Sequence, residues 1–278
     1  MLIDTHCHLD ASEFDADRDA VIESAAAAGV RAIVIPAVEV ANFSTVRDLA
    51  HRFAGGHYAL GIHPLFVERA QESDLLRLRD TIEASMDDPR FVAIGEIGLD
   101  FFVPEIATGA PRVKQERFYR TQLEMALSFD LPVLLHVRRS QDIVLKHLRR
   151  LPRMPGGIAH AFNGSEQQAH AFVERVFALG IGGAMTYPRS LQIRRHAESI
   201  PLESLVLETD SPDIAPAWLH APDRRNTPAQ VEGVAQALAG LRGVSVETIR
   251  RVTGETACRI MPGLAAAPSP CSRKNGVS

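Results

Sequence analysis

Short apolar runs recur along the whole chain, at 2–5, 32–36, 58–62, 92–97, 133–137, 157–160, 180–183 and 204–208. Their length and their Val, Ile and Leu content predict eight buried strands. Between them, apolar residues at three- and four-residue spacing predict helices over 17–28, 42–53, 73–86, 113–129, 140–148, 166–179, 191–198 and 228–241. The punctuation agrees: Gly29 follows the first helix, Gly55 and Gly56 the second, Pro89 the third, and Thr227 is placed to cap the last ahead of Pro228. Strand and helix alternate to about residue 260, which predicts a parallel sheet covered by helices. Eight repeats at this length favour a closed (β/α)8 TIM barrel over an open doubly wound sheet. No interior linker divides the chain, so one domain over 1–261 is expected. Residues 262–278, rich in Pro, Ala, Ser and Gly, read as a flexible tail outside the fold.

Composition narrows the function classes. Of 278 residues 46% are hydrophobic and 23% charged, which suits a globular protein with a sizeable core. The formal net charge of -4 excludes a strongly basic surface overall and leaves room only for a local basic patch. Cys7, Cys258 and Cys271 show no C-x-x-C spacing, which argues against a disulfide framework and a thiolate zinc site and points to a reducing, cytoplasmic setting. The start, Met-Leu-Ile-Asp-Thr-His, lacks the basic and apolar regions of a signal peptide, and no stretch is apolar enough to span a membrane. Phosphate-loop and dinucleotide glycine motifs are missing.

In a barrel of this type the chemistry sits on the loops at the C-terminal ends of the strands. Those ends read Asp4-Thr5-His6-Cys7-His8, Gly61-Ile62-His63-Pro64, Gly95-Glu96-Ile97-Gly98-Leu99-Asp100, His136-Val137-Arg138, His160-Ala161-Phe162-Asn163-Gly164 and Glu208-Thr209-Asp210-Ser211-Pro212. Period-two alternation predicts that Asp4, His6 and His8 share a face. Imidazoles and carboxylates gathered at strand ends form a donor set suited to Zn, Mn or Mg. The remaining histidines, His51, His57, His147, His170, His196 and His220, fall in helical or loop contexts and read as solvated or structural.

These segments, in this order and spacing and together with Arg225-Asn226-Thr227-Pro228, resemble the signature elements of the TatD-related metal-dependent deoxyribonucleases over residues 1 to 260. The resemblance implies a first metal on His6, His8, Glu96 and Asp210. It implies a second on Glu96, His136 and His160, with Glu96 bridging. Two departures are visible: His160 precedes Ala-Phe-Asn-Gly instead of the usual Cys-Phe-Ser-Gly, and Phe101-Phe102 replaces a pair containing Tyr. Neither removes a ligand, and the loop over 104–111 is longer than in the shortest members.

Two divalent ions roughly 3.5–4 Å apart suit phosphodiester hydrolysis by an activated water. Asp210 is the candidate base as well as a ligand, and Glu96 is the other catalytic candidate. His63, Arg138 and Arg225 are candidates for contacting substrate; surface pairing is the alternative for the two arginines and a core position for His63. Asp4, by fixing an imidazole tautomer, and Glu208, two residues before Asp210, are candidates for supporting the ligands, with a strand-end cap as the alternative for Asp4. The expected substrate is DNA, as a single strand or strand end, cut from the 3′ side, with no membrane and no obligate protein partner. Competing readings are hydrolysis of another ester or amide on the same barrel, such as an aminoacyl ester on tRNA, and a metal-binding scaffold without turnover. The carbamylated lysine that bridges the metals of many related amidohydrolases has no counterpart here, because no Lys ends a strand.

Overall fold

In the computed structural model, which describes residues 1–221 and 224–265, eight parallel strands form a barrel in sequence order. They are β1 (Leu2–Asp4), β2 (Val30–Pro36), β3 (Gly56–Leu60), β4 (Phe91–Asp100), β5 (Val133–Arg138), β6 (Gly157–Ala159), β7 (Phe177–Ile181) and β8 (Leu205–Leu207). The helices are α1 (Arg18–Ala27), α2 (Phe43–His51), α3 (Glu72–Ser85), α4 (Gly109–Ser128), α5 (Gln141–Leu148), α6 (Glu166–Val173), α7 (Leu191–Ser199), α8 (Val231–Arg242) and α9 (Val246–Ile260). Among the described residues no helix is long and apolar enough to cross a membrane.

Closure is made between the first and last strands. Thr5 N donates to Leu207 O at 3.0 Å, Asp210 N to His6 O at 2.9 Å and His8 N to Ser211 O at 2.9 Å. The buried Asp4 carboxylate reinforces this seam: Oδ1 accepts from Thr209 N at 2.9 Å and His6 N at 3.3 Å, and Oδ2 from the Thr209 hydroxyl at 2.6 Å. Asp4 therefore does not orient an imidazole, and it does not share a contact face with His6 and His8. The strand stops at Asp4 and the chain bends at Thr5, which breaks the period-two alternation.

Inside the barrel, Ile3, Val34, Ala59, Ala93, Leu134, Ile158, Ala178 and Val206 give one apolar layer, a residue from each strand. Ala257, Ile260 and Met261 from the end of α9, followed by Leu264, pack against it and seal the floor. The Val, Ile, Leu and Met side chains of this set each contribute about 1.5–3 kcal/mol on burial, and the alanines less. A second shell of apolar residues joins the outer strand faces to the helices. In α2 these are Phe43, Val46, Leu49 and Ala50, at helical spacing.

Four expectations change. The stretch 166–179 is not one helix, because α6 ends at Val173 and β7 begins at Phe177. Val176, a β-branched residue at φ +66°, makes the turn that no Gly or Pro announces. Helix α9 adds to the eight expected helices. Pro262–Ala265 form a helical turn with Leu264 only 3% exposed, so the fold runs past 261; residues 266–278 of the expected tail lie outside the described residues. His57 belongs to β3, not to a helix or loop, and is fully buried with neither ring nitrogen partnered.

Burial, aided by the Arg90 guanidinium, lowers the His57 pKa to about 4. Its unfolded value is near 6.5. The unfolded chain therefore takes up the proton first, and stability is lost as pH falls from 6.5 towards 4. Urea unfolding at pH 7 and pH 5 should show His57→Leu spared about 2 kcal/mol of the loss suffered by the wild type. Equal losses in the two proteins would remove His57 from the acid response.

Candidate metal centre

Glu96 is the centre of the barrel mouth. Its backbone N donates to Ala37 O, and its side chain, 2% exposed, stands among four imidazoles. Oε2 lies 3.1 Å from His6 Nε2 and 3.4 Å from His8 Nε2. Oε1 lies 2.9 Å from His136 Nδ1 and 3.4 Å from His63 Nε2. Burial alone would raise this carboxyl, but His63 and His6 outweigh it and hold it well below the usual carboxylate range.

Asp210 faces the same space from the end of β8. Its Oδ1 is 3.6 Å from His6 Nε2 and 3.7 Å from His8 Nε2, and its Oδ2 is 3.5 Å from His160 Nε2. Its backbone is left-handed, φ +56°, a conformation Asp tolerates better than most residues and one that turns the carboxylate back over the barrel. Although burial opposes it, His160, His6 and His8 bring this carboxyl down to about 2. Glu208 lies behind His160, with Oε1 3.1 Å from His160 Nδ1 and accepting from Ala161 N at 2.6 Å. The His160 contact is an ion-pair distance and is not aligned as a hydrogen bond. A Cβ at Gly180 would lie 2.1 Å from Glu208 Oε2, so only glycine there leaves room for this carboxylate.

His136 is held from both sides. While Nδ1 faces Glu96, Nε2 lies 3.0 Å from Asp100 Oδ2. Asp100 is fully buried and is fixed by the backbone amides of Phe102 at 2.8 Å and Val103 at 3.1 Å. Burial is again overcome, here by His136, and the Asp100 pKa falls. A carboxylate behind the outer nitrogen of an imidazole fixes the tautomer that presents the inner nitrogen to a metal. Asp100 is not among the supporting residues expected from the sequence. Its position two and four residues after Gly98 and Glu96 on one strand is the available sign. Gly98, at φ +148°, is the reason β5 lies so close, since a Cβ would meet His136 O at 2.0 Å.

His63 caps the turn after β3. Its Nδ1 accepts from Leu65 N at 3.2 Å, which leaves the neutral ring's proton on Nε2, facing Glu96. Burial keeps this ring neutral by lowering its pKa to about 4.

The rim residues separate. Arg138 reaches the mouth, half exposed and 3.9 Å from Asp100 Oδ2. Arg225 does not join the cluster: its two terminal nitrogens bind Asp17 at 2.9 and 2.5 Å, and one also reaches Glu13 O. Its neighbour Asn226, not singled out by sequence, is buried and donates to Thr209 O at 2.9 Å and Asp213 O at 2.8 Å, pinning the loop that carries Asp210.

The donor set fits divalent metal. Three groups of potential ligand atoms cluster tightly: His6, His8 and Glu96; His6, His160 and Asp210; and His63, Glu96 and His136. His160 thus stands nearer the first metal's expected ligands than beside Glu96 and His136. Imidazole nitrogens face each other at 3.3 Å between His6 and His8, whereas between His63 and His136, at 3.0 Å, the His63 Nε2 proton already fills the gap. Lone pairs at such distances repel unless a proton or a cation lies between them. Despite burial, Glu96 and Asp210 raise the His8 pKa to about 9. A larger cavity of about 690 Å³ lies outside the barrel, between α2 and α3, and none of these residues lines it. The site is defined by its donors and not by its volume.

The model of the family "TatD related DNase" matches residues 3–262. The chain belongs to the TatD family. A metal-dependent hydrolase of Escherichia coli strain K12, YjjV, is 40% identical over 243 residues, covering 86% of this chain and 90% of the relative. The 3'-5' ssDNA/RNA exonuclease TatD of Salmonella typhimurium is 33% identical over 260 residues, 92% and 97% of the two chains. The crystal structure of E. coli YjjV superposes with a TM-score of 0.86 at 37% identity, covering 94% of this chain and 98% of that one. This chain is accordingly a TatD-type metal-dependent hydrolase, and its barrel is the TatD barrel.

In a TatD-type site Asp100→Asn keeps an oxygen for the Phe102 and Val103 amides but removes the charge behind His136. Isothermal titration with Mn should show binding weakened about ten- to a hundredfold, with the melting temperature of the metal-free protein little changed. Unaltered Mn affinity would deny Asp100 its role.

Proposed function

We propose that this TatD-type hydrolase removes nucleotides from the 3′ end of single-stranded DNA, using two divalent ions held around Glu96. The observation that carries the proposal is the division of labour in Glu96: one carboxylate oxygen faces His6 and His8, the other His136 and His63. A carboxylate with imidazoles on both oxygens suits a bridge between two ions. His6, His8, Asp210 and Glu96 would hold the first, and Glu96 and His136 the second, with His160, which clusters with His6 and Asp210, available to complete either. His63 stays out of the ligand set, because its Nε2 carries a proton.

Bound Zn, Mn or Mg would supply Lewis acidity to the phosphoryl oxygens and lower the pKa of water at the site towards neutrality. Asp210 takes the proton of the attacking water, in keeping with its position at the open side of the cluster, where it is 16% exposed. His63, neutral, donates a hydrogen bond through its Nε2–H to a phosphoryl oxygen and keeps the proton. Asp100 and Glu208 hold His136 and His160 in place during the reaction. The relative named as a 3'-5' ssDNA/RNA exonuclease supports nucleic acid as the substrate class, and a mouth ringed by strand-end loops suits a strand end better than an intact duplex. Among the described residues Cys7 and Cys258 form no disulfide, in keeping with a reducing, cytoplasmic setting.

The test is hydrolysis of 5′-labelled and 3′-labelled single-stranded oligonucleotides by metal-stripped protein resupplied with Mg, Mn or Zn. A descending ladder from the 5′ label and early release of a labelled mononucleotide from the 3′ label are expected. Glu96→Ala should abolish both, and Asp210→Asn should slow them about 10²–10⁴-fold. No shortening with any ion would reject the nuclease reading in favour of another ester. Efficient cutting of closed circular duplex would reject the strand-end preference.

A further inference from the structure

Three side chains at the rim of the barrel mouth form a unit that the metal centre does not use. Phe102, two residues past Asp100, is 43% exposed, and its backbone N is held by the Asp100 carboxylate. The Arg138 guanidinium lies 3.7 Å from the centre of its ring and that of Arg139 lies 4.7 Å from it. Consecutive residues at a strand end should point to opposite faces. Arg139 instead adopts a left-handed backbone, φ +54°, at a position without glycine, and both guanidiniums reach one ring.

The two arginines are also uncommitted. Arg18, Arg69, Arg90 and Arg250 are each tied down by hydrogen bonds to carboxylates or carbonyls. Among the described residues neither Arg138 nor Arg139 donates a side-chain hydrogen bond, and Arg138 stands 3.9 Å from the Asp100 carboxylate. Stacking on an aromatic face restrains a guanidinium in its plane while leaving its N–H edge free for a phosphate oxygen. Phe102 is joined through Asp100 to His136, so the unit is held at a fixed place relative to the metal centre.

We infer that Phe102, Arg138 and Arg139 together bind the phosphate next to the scissile one, and thereby set a preference for a polynucleotide over an isolated phosphodiester. The inference rests on the phosphodiesterase reading above and adds to it the requirement for a second phosphate. Phe102 is a positioning residue, and the arginines bind the phosphate directly.

Full-length protein loaded with Mn is assayed on a dinucleoside monophosphate, which offers only the scissile phosphate, and on a trinucleoside diphosphate, which adds one. The wild type should favour the longer substrate about tenfold or more in kcat/KM, as expected for charge-assisted hydrogen bonds to one phosphate. Phe102→Ala and Arg139→Ala should each shrink that ratio towards one, chiefly through KM. Phe102→Tyr should preserve it. The salt dependence on the longer substrate should flatten by about 0.7 in logarithmic slope for each phosphate that a variant no longer neutralises. A wild type that cleaves both substrates equally, or alanine variants that keep the wild-type ratio and salt slope, would overturn the inference while leaving the phosphodiesterase reading in place. Cleavage of neither substrate by the wild type would overturn both.

Discussion

Everything at the mouth of this barrel depends on the seam between β1 and β8. His6 and His8 come from the start of the chain and Asp210 from some two hundred residues later, and only the closure of the sheet brings them to one place. The seam is made by backbone hydrogen bonds on either side of the Asp4 carboxylate, which grips Thr209 by both its amide and its hydroxyl. A buried carboxylate without donors would be costly, and here the donors belong to the strand that must be held. The acidic group nearest the start of the chain is thus used to close the cylinder, and the chemistry is left to residues beyond the bend at Thr5.

The polar cluster above the seam would be unstable if it were assembled loosely. Four imidazoles surround Glu96, and Asp210 stands across from two of them. Polar groups stand behind three of the rings: the Asp100 carboxylate at His136, the Glu208 carboxylate 3.1 Å from His160 and the Leu65 amide at His63. The same carboxylate that steadies His136 anchors Phe102, so the rim and the centre share one support. The close approach at Gly98 and Gly180 makes room for this second layer. The smallest residues stand where supporting groups must pass between strands.

Much of this was legible in the sequence because it follows local rules. All eight strand positions overlap those expected, β7 by only two residues, since short Val, Ile and Leu runs bounded by Gly and Pro leave little ambiguity. Strand β7 was displaced and α6 overextended because the apolar spacing continues through 174–176, where Val176 makes a left-handed turn that its residue type does not advertise. Helix α9 escaped notice. It carries Gly254 in its interior, where a Cβ would meet Met1 O, a packing reason that is visible only in three dimensions. At the mouth, the expected ligands follow from strand-end placement and family likeness, and their side chains stand within contact of Glu96 or Asp210. What could not be read was the choice among neighbours: Asn226 pins the Asp210 loop while Arg225 turns to Asp17, and Asp100 supports an imidazole where Asp4 does not. Such choices depend on which side chain points inward after a bend, and no periodicity carries that information.

The floor formed by Ala257, Ile260, Met261 and Leu264 has a consequence for biosynthesis. Among the described residues, the inner apolar layer, with a residue from every strand, is covered from below by a segment translated after all eight strands. A nascent chain that has reached β8 can pair its strands yet still exposes that layer at the open base. At about 5–20 residues per second, the remaining stretch to Leu264 takes several seconds to synthesise and longer to leave the ribosomal tunnel. Until then the barrel offers chaperones an apolar opening, and the finished protein differs from its precursor chiefly in having that opening shut.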